Sequence, residues 1–395
     1  MKRRSDTIRK YTGLILAAVL ISMTGCASSA NNEDLTEDAA KTSTVRTEDE
    51  AVKDVKSPAD TSQMEEIINS EDGGHAITAD GENLSYRNTK VIKSGEADGD
   101  EADFYGENAA IFATNGAELN LSDMDIETDG THANAVFSYG DGTTVNIYDS
   151  VINTTGNCSG GLMTTGGGTM NASDLTIHTT GNSSAAIRSD RGGGTVNVTG
   201  GSYTTDGKGS PAIYSTADII VNNASLTSTT SEGVVVEGKN SVTLNDVTLT
   251  ADHNQHNSKN SDDFNAVMIY QSMSGDADEG LASFTMNGGE LINKNGEVFF
   301  VNNTSADITL NKAEIDNSRG NGIFLKAGAA GWGNEGSNGG NVNLYATSQT
   351  IDGDIIVDDI STLNFYLKEG STFDGAINSD GKSGDVYVEI GEDSI

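Results

Sequence analysis

Residues 134–156, NAVFSYGDGTTVNIYDSVINTTG, contain the unit that this chain repeats. Three short runs lie within the stretch, at residues 135–139, 144–148 and 150–153, and apolar residues alternate with polar ones along them. The runs are rich in Val, Ile, Phe, Tyr and Thr and are bounded by Gly and Asn, which is typical of β-strands. No helical period fits, so the unit predicts three strands in succession.

The same unit returns about once every 25 residues. Aligning the first strand of each unit gives a column of apolar residues: Ala110, Val136, Leu162, Ile187, Ile213, Val234, Val267, Val298 and Ile323. Aligning the second strand gives apolar pairs with one residue between them: Leu119/Leu121, Val145/Ile147, Met170/Ala172, Val196/Val198, Ile219/Val221, Val242/Leu244, Phe284/Met286, Ile308/Leu310, Val342/Leu344, Leu363/Phe365 and Val386/Val388. One turn cannot bury its own apolar side, but stacked turns form a continuous core. We therefore predict an all-β fold, a parallel β-helix (solenoid) of about 11–12 turns with three short strands per turn.

Two further features of the repeat predict local structure. Longer intervals at residues 251–264, 272–281 and 327–340 indicate insertions at turns, which usually decorate one face of a solenoid. A polar column lies between the members of the second-strand pairs: Asn120, Asn146, Asn171, Asn197, Thr243, Thr285, Thr309, Asn343 and Asn364. By alternation these side chains face outward, and we expect stacked Asn and Thr to satisfy one another from turn to turn.

The first 25 residues have the pattern of a targeting segment. Five basic residues precede an apolar stretch at residues 14–21, LILAAVLI, which is too short to span a bilayer stably. Met23-Thr24-Gly25-Cys26 follows and resembles the bacterial lipoprotein signal, although Leu is usual where Met23 stands. The resemblance implies cleavage before Cys26, lipidation of its thiol and a membrane anchor at the bacterial cell surface. An ordinary secretory signal with an incidental cysteine is the alternative.

The composition changes twice after the signal. Residues 26–62 carry many charges and almost no large apolar residues, so we expect a disordered acidic tether after the lipidated cysteine. Residues 63–69, QMEEIIN, have the pattern of one or two helical turns, which predicts an N-terminal helical cap over residues 63–73. Residues 74–395 hold the repeats and form the predicted extracellular β-helix domain.

The formal net charge of −36 excludes nucleic acid as a partner, because phosphate binding needs a basic face. Solubility at a cell surface accounts for such acidity, with a specific calcium-binding role as the alternative. Two loops concentrate carboxylates: Asp98, Asp100 and Asp103 in one, Asp276, Asp278 and Glu279 in the other. Oxygen ligands on loops suit Ca²⁺, but neither loop has the spacing of a known calcium motif. We expect no cofactor, with Ca²⁺ at these loops as the alternative.

The repeats resemble known families in their punctuation by Gly and Asn. Such three-strand repeats behind a secretion signal resemble right-handed parallel β-helices of the pectate-lyase and autotransporter-passenger type. Runs such as TTGNSSAAIRSDRGGGTVNV (179–198), GVVVEGKNSVTL (233–244) and QSMSGDADEG (271–280) resemble adhesin-like surface proteins of gut anaerobes. The resemblance covers residues 74–395 and implies a right-handed solenoid. Relatives of this type continue further, which implies that the chain is a fragment truncated at its C-terminus.

This architecture hosts lyases, hydrolases, adhesins and toxins alike, so the fold alone does not select a function. Polygalacturonase-like enzymes carry an Asn-Thr-Asp strand, an Asp pair, a Gly-His-Gly and an Arg-Ile-Lys, and that set is not assembled in this sequence. Arg188 and Arg191 are the only clustered arginines in the repeats. We therefore name no catalytic residue and expect binding, with a polysaccharide lyase or glycoside hydrolase as the enzymatic alternative.

An aromatic stripe is the candidate binding surface. It lies beside the apolar column of the first strand. Because the row of positions that it occupies also contains Arg and Tyr, we expect its side chains to face outward. With the tryptophan of an insertion, its members are Phe137, Tyr139, Tyr214, Tyr270, Phe299, Phe324 and Trp332. Extended apolar patches on soluble surfaces tend to be contact sites. The alternative is that an inserted loop, in particular residues 327–340 with Trp332, packs over the stripe.

The sequence thus predicts a surface-anchored lipoprotein whose β-helix acts by adhesion or ligand binding without catalysis. Its expected partners are the membrane, through the lipid anchor, and a glycan or protein on a host or bacterial surface. A polysaccharide-binding or carbohydrate-active β-helix is the alternative, in which the aromatic side chains stack on sugars.

Overall fold

Short strands of three to eight residues follow one another along the chain and are separated by turns. The structure is a computed structural model that describes residues 64–395. One short helix, α1 (Asp100–Tyr105), lies among the described strands. In chain order the strands are β1 (Glu65–Asn69), β2 (Ile77–Asp80), β3 (Asn83–Arg87), β4 (Thr89–Lys93), β5 (Ile111–Thr114), β6 (Glu118–Ser122), β7 (Asp125–Thr128), β8 (Val136–Tyr139), β9 (Thr144–Tyr148), β10 (Val151–Thr154), β11 (Leu162–Thr165), β12 (Gly168–Ser173), β13 (Thr176–Thr179), β14 (Ile187–Ser189), β15 (Gly194–Thr199), β16 (Ser202–Thr205), β17 (Ile213–Ser215), β18 (Asp218–Asn222), β19 (Ser225–Ser228), β20 (Val234–Glu237), β21 (Ser241–Asn245), β22 (Thr248–Ala251), β23 (Asn265–Tyr270), β24 (Leu281–Asn287), β25 (Glu290–Asn293), β26 (Glu297–Asn302), β27 (Thr304–Asn311), β28 (Glu314–Asp316), β29 (Ile323–Ala327), β30 (Gly340–Thr347), β31 (Thr350–Asp352), β32 (Asp354–Val357), β33 (Thr362–Lys368), β34 (Thr372–Asp374) and β35 (Asp385–Ile390).

Each strand pairs in parallel with the equivalent strand of the next turn, which produces three long sheets. Sheet A has ten strands, from β1 and β4 to β28, and sheet B has eleven, from β2 and β5 to β32. Sheet C has twelve strands, from β3 and β6 to β35, while β31 and β34 form a separate pair. The predicted fold, a right-handed parallel β-helix with three strands per turn, is confirmed.

The apolar core fills the interior of the solenoid and runs continuously along it. The second-strand pairs from Leu119/Leu121 to Leu363/Phe365 lie inside as predicted; Leu119, Val145 and Met170, for example, occupy one row of sheet C. The last predicted pair, Val386/Val388, is 38% and 39% exposed, because β35 is the terminal strand of the sheet. In sheet B the inner row is Ile111, Val136, Leu162, Ile187, Ile213, Val234, Val267, Phe299, Leu325 and Ile355. Burying this row and its neighbours is the main source of stability, because apolar burial contributes about 25 cal/mol per Å².

The sequence alignment of the rows was wrong in places. The first-strand column is shifted by one residue at Ala110, and at Val298 the row passes through the next residue, Phe299. Ile323 is displaced by a β-bulge in β29. The second-strand pair Val342/Leu344 is shifted by two residues, because β27 and β30 each have eight residues and pair from their first residues onward.

The N-terminal end also differs from the prediction. The predicted helical cap over residues 63–73 does not form in its described part, residues 64–73; instead, β1 pairs with β4 in register and begins the first turn of the solenoid. The sequence Glu-Glu-Ile-Ile-Asn is as compatible with a strand as with a helix, and the edge of β4 provides a pairing partner. The predicted signal, the lipidated Cys26 and the tether lie outside the described residues. Within residues 64–395, no helix is both long enough and apolar enough to cross a membrane.

The asparagines of the polar column of sheet C have the predicted structural role. The Nδ2 atoms of Asn146, Asn171 and Asn197 each donate to the Oδ1 atom of the Asn one turn earlier, at 2.9, 2.9 and 3.0 Å. A second ladder of the same kind runs along the ends of the sheet C strands through Asn222, Asn245, Asn287 and Asn311. These amides satisfy one another on the outer face of the sheet.

Candidate functional site

The outer face of sheet B is covered by other parts of the chain. Its outer row consists of Phe112, Phe137, Met163, Arg188, Tyr214, Val235, Met268, Phe300, Lys326 and Ile356. Two apolar clusters form on this face, separate from the core inside the solenoid. The alternative in which other parts of the chain cover the stripe holds for Phe137, Tyr214 and Tyr270, which are buried on this face, and the expectation that these side chains are exposed is wrong.

Helix α1 covers the N-terminal part of this face. Phe137 is fully buried beneath it, and the Thr165 hydroxyl donates a 2.8 Å hydrogen bond to the Phe104 carbonyl oxygen of the helix. The helix ends at Gly106, where φ is 79° and an added Cβ would lie 2.8 Å from the Phe112 ring. Only glycine permits both this left-handed conformation and this close approach. The helix is thus held tightly against the sheet.

Arg188 contributes a buried charge to the outer row. Its Nη2 atom donates to Asp103 of α1 at 3.2 Å and to Asp190 at 2.7 Å, and all three side chains are buried. Burial raises the pKa of Asp190 to about 8, although the Arg188 guanidinium beside it offsets part of the rise. Separating these groups would leave buried charges without partners, so they fix where α1 docks.

Arg191 joins two covering segments to each other. Its Nε atom donates to Asp276 at 2.8 Å and its Nη1 atom to Asp100 at 3.1 Å. Its guanidinium carbon lies 3.6 Å from the centroid of the Phe104 ring, in a cation–π contact. The loop 271–280 and helix α1 are therefore held by the same side chain.

Glu237 is the buried acid at the centre of the face. Its Oε2 atom accepts hydrogen bonds from the hydroxyls of Tyr214 and Tyr270, the latter at 2.9 Å, and its Oε1 atom contacts the Ser272 hydroxyl. Burial raises the pKa of Glu237, and the hydrogen bonds from Ser272, Tyr214 and Tyr270 partly oppose that rise. This acid anchors the start of the loop 271–280.

A chain of hydrogen bonds continues from Glu237 along this loop. The Ser272 hydroxyl contacts both Glu237 Oε1 and Ser274 Oγ, the latter at 2.7 Å. The Ser274 hydroxyl in turn donates to the Asp276 carboxylate at 2.8 Å. The loop is thus tied to the buried acid through its own hydroxyl groups.

The C-terminal part of the face is covered by the insertions at residues 252–264 and 328–339. Trp332 is 2% exposed and packs edge-on against Tyr270, with ring centroids 5.2 Å apart. The Gly331 backbone N–H donates to the Asn260 carbonyl oxygen at 2.6 Å, which joins the two insertions. Trp332 is thus part of the cover, as the alternative interpretation predicted.

The remaining stripe residues have different environments. Phe299 and Phe324 point into the main core rather than outward, because the alignment was one residue out of phase at β26 and a bulge displaces Phe324 in β29. Tyr139 is half-buried and contacts Tyr105 of α1, with centroids 5.8 Å apart. The predicted ladder of exposed rings along sheet B does not form.

The carboxylates proposed as calcium ligands mostly pair with basic groups. Asp103 and Asp276 are buried against arginine, Asp100 pairs with Arg191, and Asp278 lies 2.8 Å from the Lys239 ammonium. Asp98 is largely exposed and lies 3.9 Å from His132. No group of three or more His, Cys, Asp or Glu side chains in residues 64–395 is arranged to hold a metal ion.

Glu279 lines a groove of about 650 Å³ between the loops 271–280 and 328–339. Leu281, Ser305 and Asn341 form its floor, in register on β24, β27 and β30, so the floor spans about 10 Å along the axis. Apart from Glu279, its polar side chains are amides and hydroxyls: Gln271, Asn303, Thr304, Ser305, Asn334, Ser337 and Asn341. Met273 and Leu281, 42% and 52% exposed, add apolar surface.

Asn303 fixes the two walls of the groove relative to each other. Its Nδ2 atom donates to the Gln271 carbonyl oxygen at 2.7 Å, and its backbone N–H donates to the Asn338 carbonyl oxygen at 3.1 Å. Gly333 approaches from the opposite loop with φ of 77°, and a Cβ there would lie 2.2 Å from Asn303 Oδ1. The groove is therefore preformed rather than dependent on a loop closing.

A second, smaller cleft of about 310 Å³ lies on the other side of the loop 271–280. Residues 192–194, Lys239 and Asp278 are among those that line it. The loop is thus a wall shared by both depressions, and its anchors are Glu237 and Arg191.

A partly exposed aromatic ladder does exist, but on sheet C. Tyr345 and Tyr366 stack with centroids 5.0 Å apart, and Tyr387, 52% exposed, follows at 6.1 Å. The Lys368 ammonium lies 5.6 and 5.5 Å from the first two rings. The alternation could have revealed Tyr345 and Tyr366, since each lies two residues after an outward Asn of the polar column.

The groove residues were harder to find from the sequence. The insertions were located correctly, and 328–339 is rich in Gly and Asn, but nothing local shows that this loop meets 271–280 across a groove. Comparison with protein-family models, with curated protein sequences and with solved structures found no match. We therefore infer the function from the geometry of the molecule.

Proposed function

We propose that this protein is a lipid-anchored bacterial surface protein whose β-helix binds a glycan in the groove between the loops 271–280 and 328–339. The supporting observation is the groove itself: it is preformed, its volume lies within the usual range of ligand sites, and amides and hydroxyls predominate among its polar groups. Such groups match the donors and acceptors of a sugar, and Met273 and Leu281 provide apolar surface for its C–H faces.

Binding without cleavage fits the groove better than catalysis. Glycoside hydrolysis by the usual routes needs two carboxyl groups on opposite sides of the scissile bond. Among the groove-lining residues only Glu279 carries a carboxyl group, and none carries a basic side chain. The carbohydrate-active alternative therefore lacks its second acid at this site.

The groove can be tested by filling it. Ser305 is exposed on the floor, and its hydroxyl makes no hydrogen bond within the described chain, so Ser305→Trp should obstruct the groove without loss of a native contact. The matched control is Ser85→Trp, an exposed outward position of the same sheet at its other end. In a glycan-array screen followed by titration, Ser305→Trp should abolish binding and Ser85→Trp should retain it. Equal binding by both variants would place the site elsewhere.

The membrane anchor is proposed from the sequence of residues 1–26. Cys26→Ser should move the full chain from the detergent phase to the aqueous phase in Triton X-114 partitioning, because the proposed anchor is lipid on that thiol. Unchanged partitioning would refute the lipoprotein assignment. The likeness to adhesin-like surface proteins agrees with this proposal and rests on the sequence runs alone.

Protein adhesion is a second candidate, supported by the tyrosine ladder of sheet C. Tyr366 is half-buried and Tyr387 is 52% exposed, and tyrosines are frequent in protein contacts. The faces of Tyr345 and Tyr366 stack on each other, so their edges and hydroxyls are what a partner would meet. Tyr366→Ser with Tyr387→Ser should abolish attachment to cells if this ladder is the adhesive surface, and should not affect it if the groove is.

A further inference from the structure

We infer that the groove selects neutral glycans and rejects polyuronates; this rests on the glycan binding proposed above. The groove lining has no arginine or lysine, and its one charged group is the carboxylate of Glu279. Glu279 is exposed, and no basic side chain within residues 64–395 forms a salt bridge with it. A ligand entering the groove therefore meets an uncompensated negative charge.

The surroundings of the groove add to this negative electrostatic potential. Lys239 lies beside Gly280 of the shared wall, but it faces the smaller cleft and is paired with Asp278 at 2.8 Å. The chain as a whole carries a formal charge of −36, so the potential over its surface is negative. A uronate chain would bring one carboxylate per sugar into this potential, without a cation to receive it.

The neutral groups of the groove are suited to an uncharged sugar chain. Asn334 and Ser305 have side-chain hydrogen-bonding groups that are not used within the described chain, and both are exposed to the groove. The floor crosses three turns, about 10 Å, which is long enough for a chain of sugars to contact several such groups in succession. Amides and hydroxyls donate and accept, so they need no charge on the ligand.

A pair of probes with the same sugar backbone tests the inference. Oligogalacturonate and its fully methyl-esterified form differ in charge, and a panel of neutral hexose and N-acetylhexosamine oligomers covers other backbones. With the full chain in detergent at low ionic strength, neutral probes should bind, and free uronate should bind at least about tenfold more weakly than its ester. At about 0.5 M salt the difference should shrink, because exposed charges are then screened within a few ångströms.

Glu279→Gln assigns the effect to a residue. This variant should narrow the difference in affinity between ester and free uronate, whereas Glu118→Gln, at an exposed acid on distant β6, should leave that difference as it is in the wild type. Uronate binding as tight as that of its ester would overturn the inference and leave glycan binding standing. Failure of every probe, charged or neutral, would overturn glycan binding itself and the inference with it.

Discussion

The outer faces of sheets B and C follow the same alternating pattern but differ in what covers them. On sheet C the outward Asn146 and Asn171 satisfy each other at the surface. On sheet B the outward Phe137 and Tyr270 are fully buried beneath other segments. The difference shows that alternation reports which way a side chain points, whereas exposure depends on what the rest of the chain places above it.

The position of the extra segments explains the difference. Helix α1 lies between β4 and β5, and residues 252–264 lie between β22 and β23. Each of these segments is therefore followed by a strand of sheet B. Loops 271–280 and 328–339 leave β23 and β29, which also belong to sheet B. All four of these segments therefore begin or end at sheet B, where they can fold back over that sheet.

The largest expected effect concerns the interior that both sheets share. Ile213→Asp should unfold the middle of the solenoid, because an unpaired charge in a dry core costs several kcal/mol. Asn197→Asp on the outer face of sheet C should cost only about 1 kcal/mol, since it removes one hydrogen bond near solvent. Melting followed by circular dichroism measures both. The reverse order would mean that the strand phase is wrong by one residue.

Replacing an aromatic residue should lower the free energy of unfolding more on sheet B than on sheet C. The difference between these two variants should be smaller than that between Ile213→Asp and Asn197→Asp. Phe137→Ala should cost about 3–5 kcal/mol, because it leaves a cavity beneath α1. Tyr366→Ala on sheet C should cost about 1 kcal/mol, the value of an aromatic pair at a half-exposed site. Denaturant titration of each variant gives the two values. Equal costs would show that the cover over sheet B does not pack in solution.

The buried acids of sheet B should make stability depend on pH. A folded-state pKa above the ordinary value means that the folded protein holds the proton more tightly. The resulting stabilisation is fully present below the ordinary pKa of 3.8 for Asp190 and is lost as pH rises through about 8. The free energy of unfolding should therefore fall by at most about 4 kcal/mol between pH 5 and pH 8, because each pH unit between the two pKa values contributes about 1.4 kcal/mol.

Repulsion among surface carboxylates also grows with pH, so a control is required. Glu237→Gln should flatten the dependence, because it removes a buried acid with a raised pKa. Glu118→Gln removes an exposed charge from sheet C and should leave the slope unchanged. Similar slopes for the wild type and both variants would show that Glu237 does not titrate in this range.

Metal removal should have the smallest effect. EDTA should change the melting temperature by no more than a few degrees, because Asp103, Asp276 and Asp278 are neutralised by arginine or lysine. Thermal melts with EDTA, and after addition of Ca²⁺, provide the measurement. A fall of more than about 10 °C that Ca²⁺ reverses would show that an acidic loop binds the ion.

The sequence by itself determined the repeat of three strands, the inward pairs of sheet C, the Asn column and the three insertions. These features have periods of two residues or of one turn, so neighbouring residues encode them. Short-range ambiguity caused the errors: residues 65–69 suit a helix or a strand, and two adjacent phenylalanines, Phe299 and Phe300, left the phase of β26 open.

Only the tertiary structure decided which outer face is covered and where the groove lies. Arg188 meets Asp103 across 85 positions of sequence, and Arg191 meets Asp276 across 85 and Asp100 across 91. Such contacts depend on how far each insertion extends across neighbouring turns. The periodicity of the sequence does not predict that distance. The alternation placed Phe137 and Tyr270 on the outer side of sheet B, and packing from distant segments buried them there.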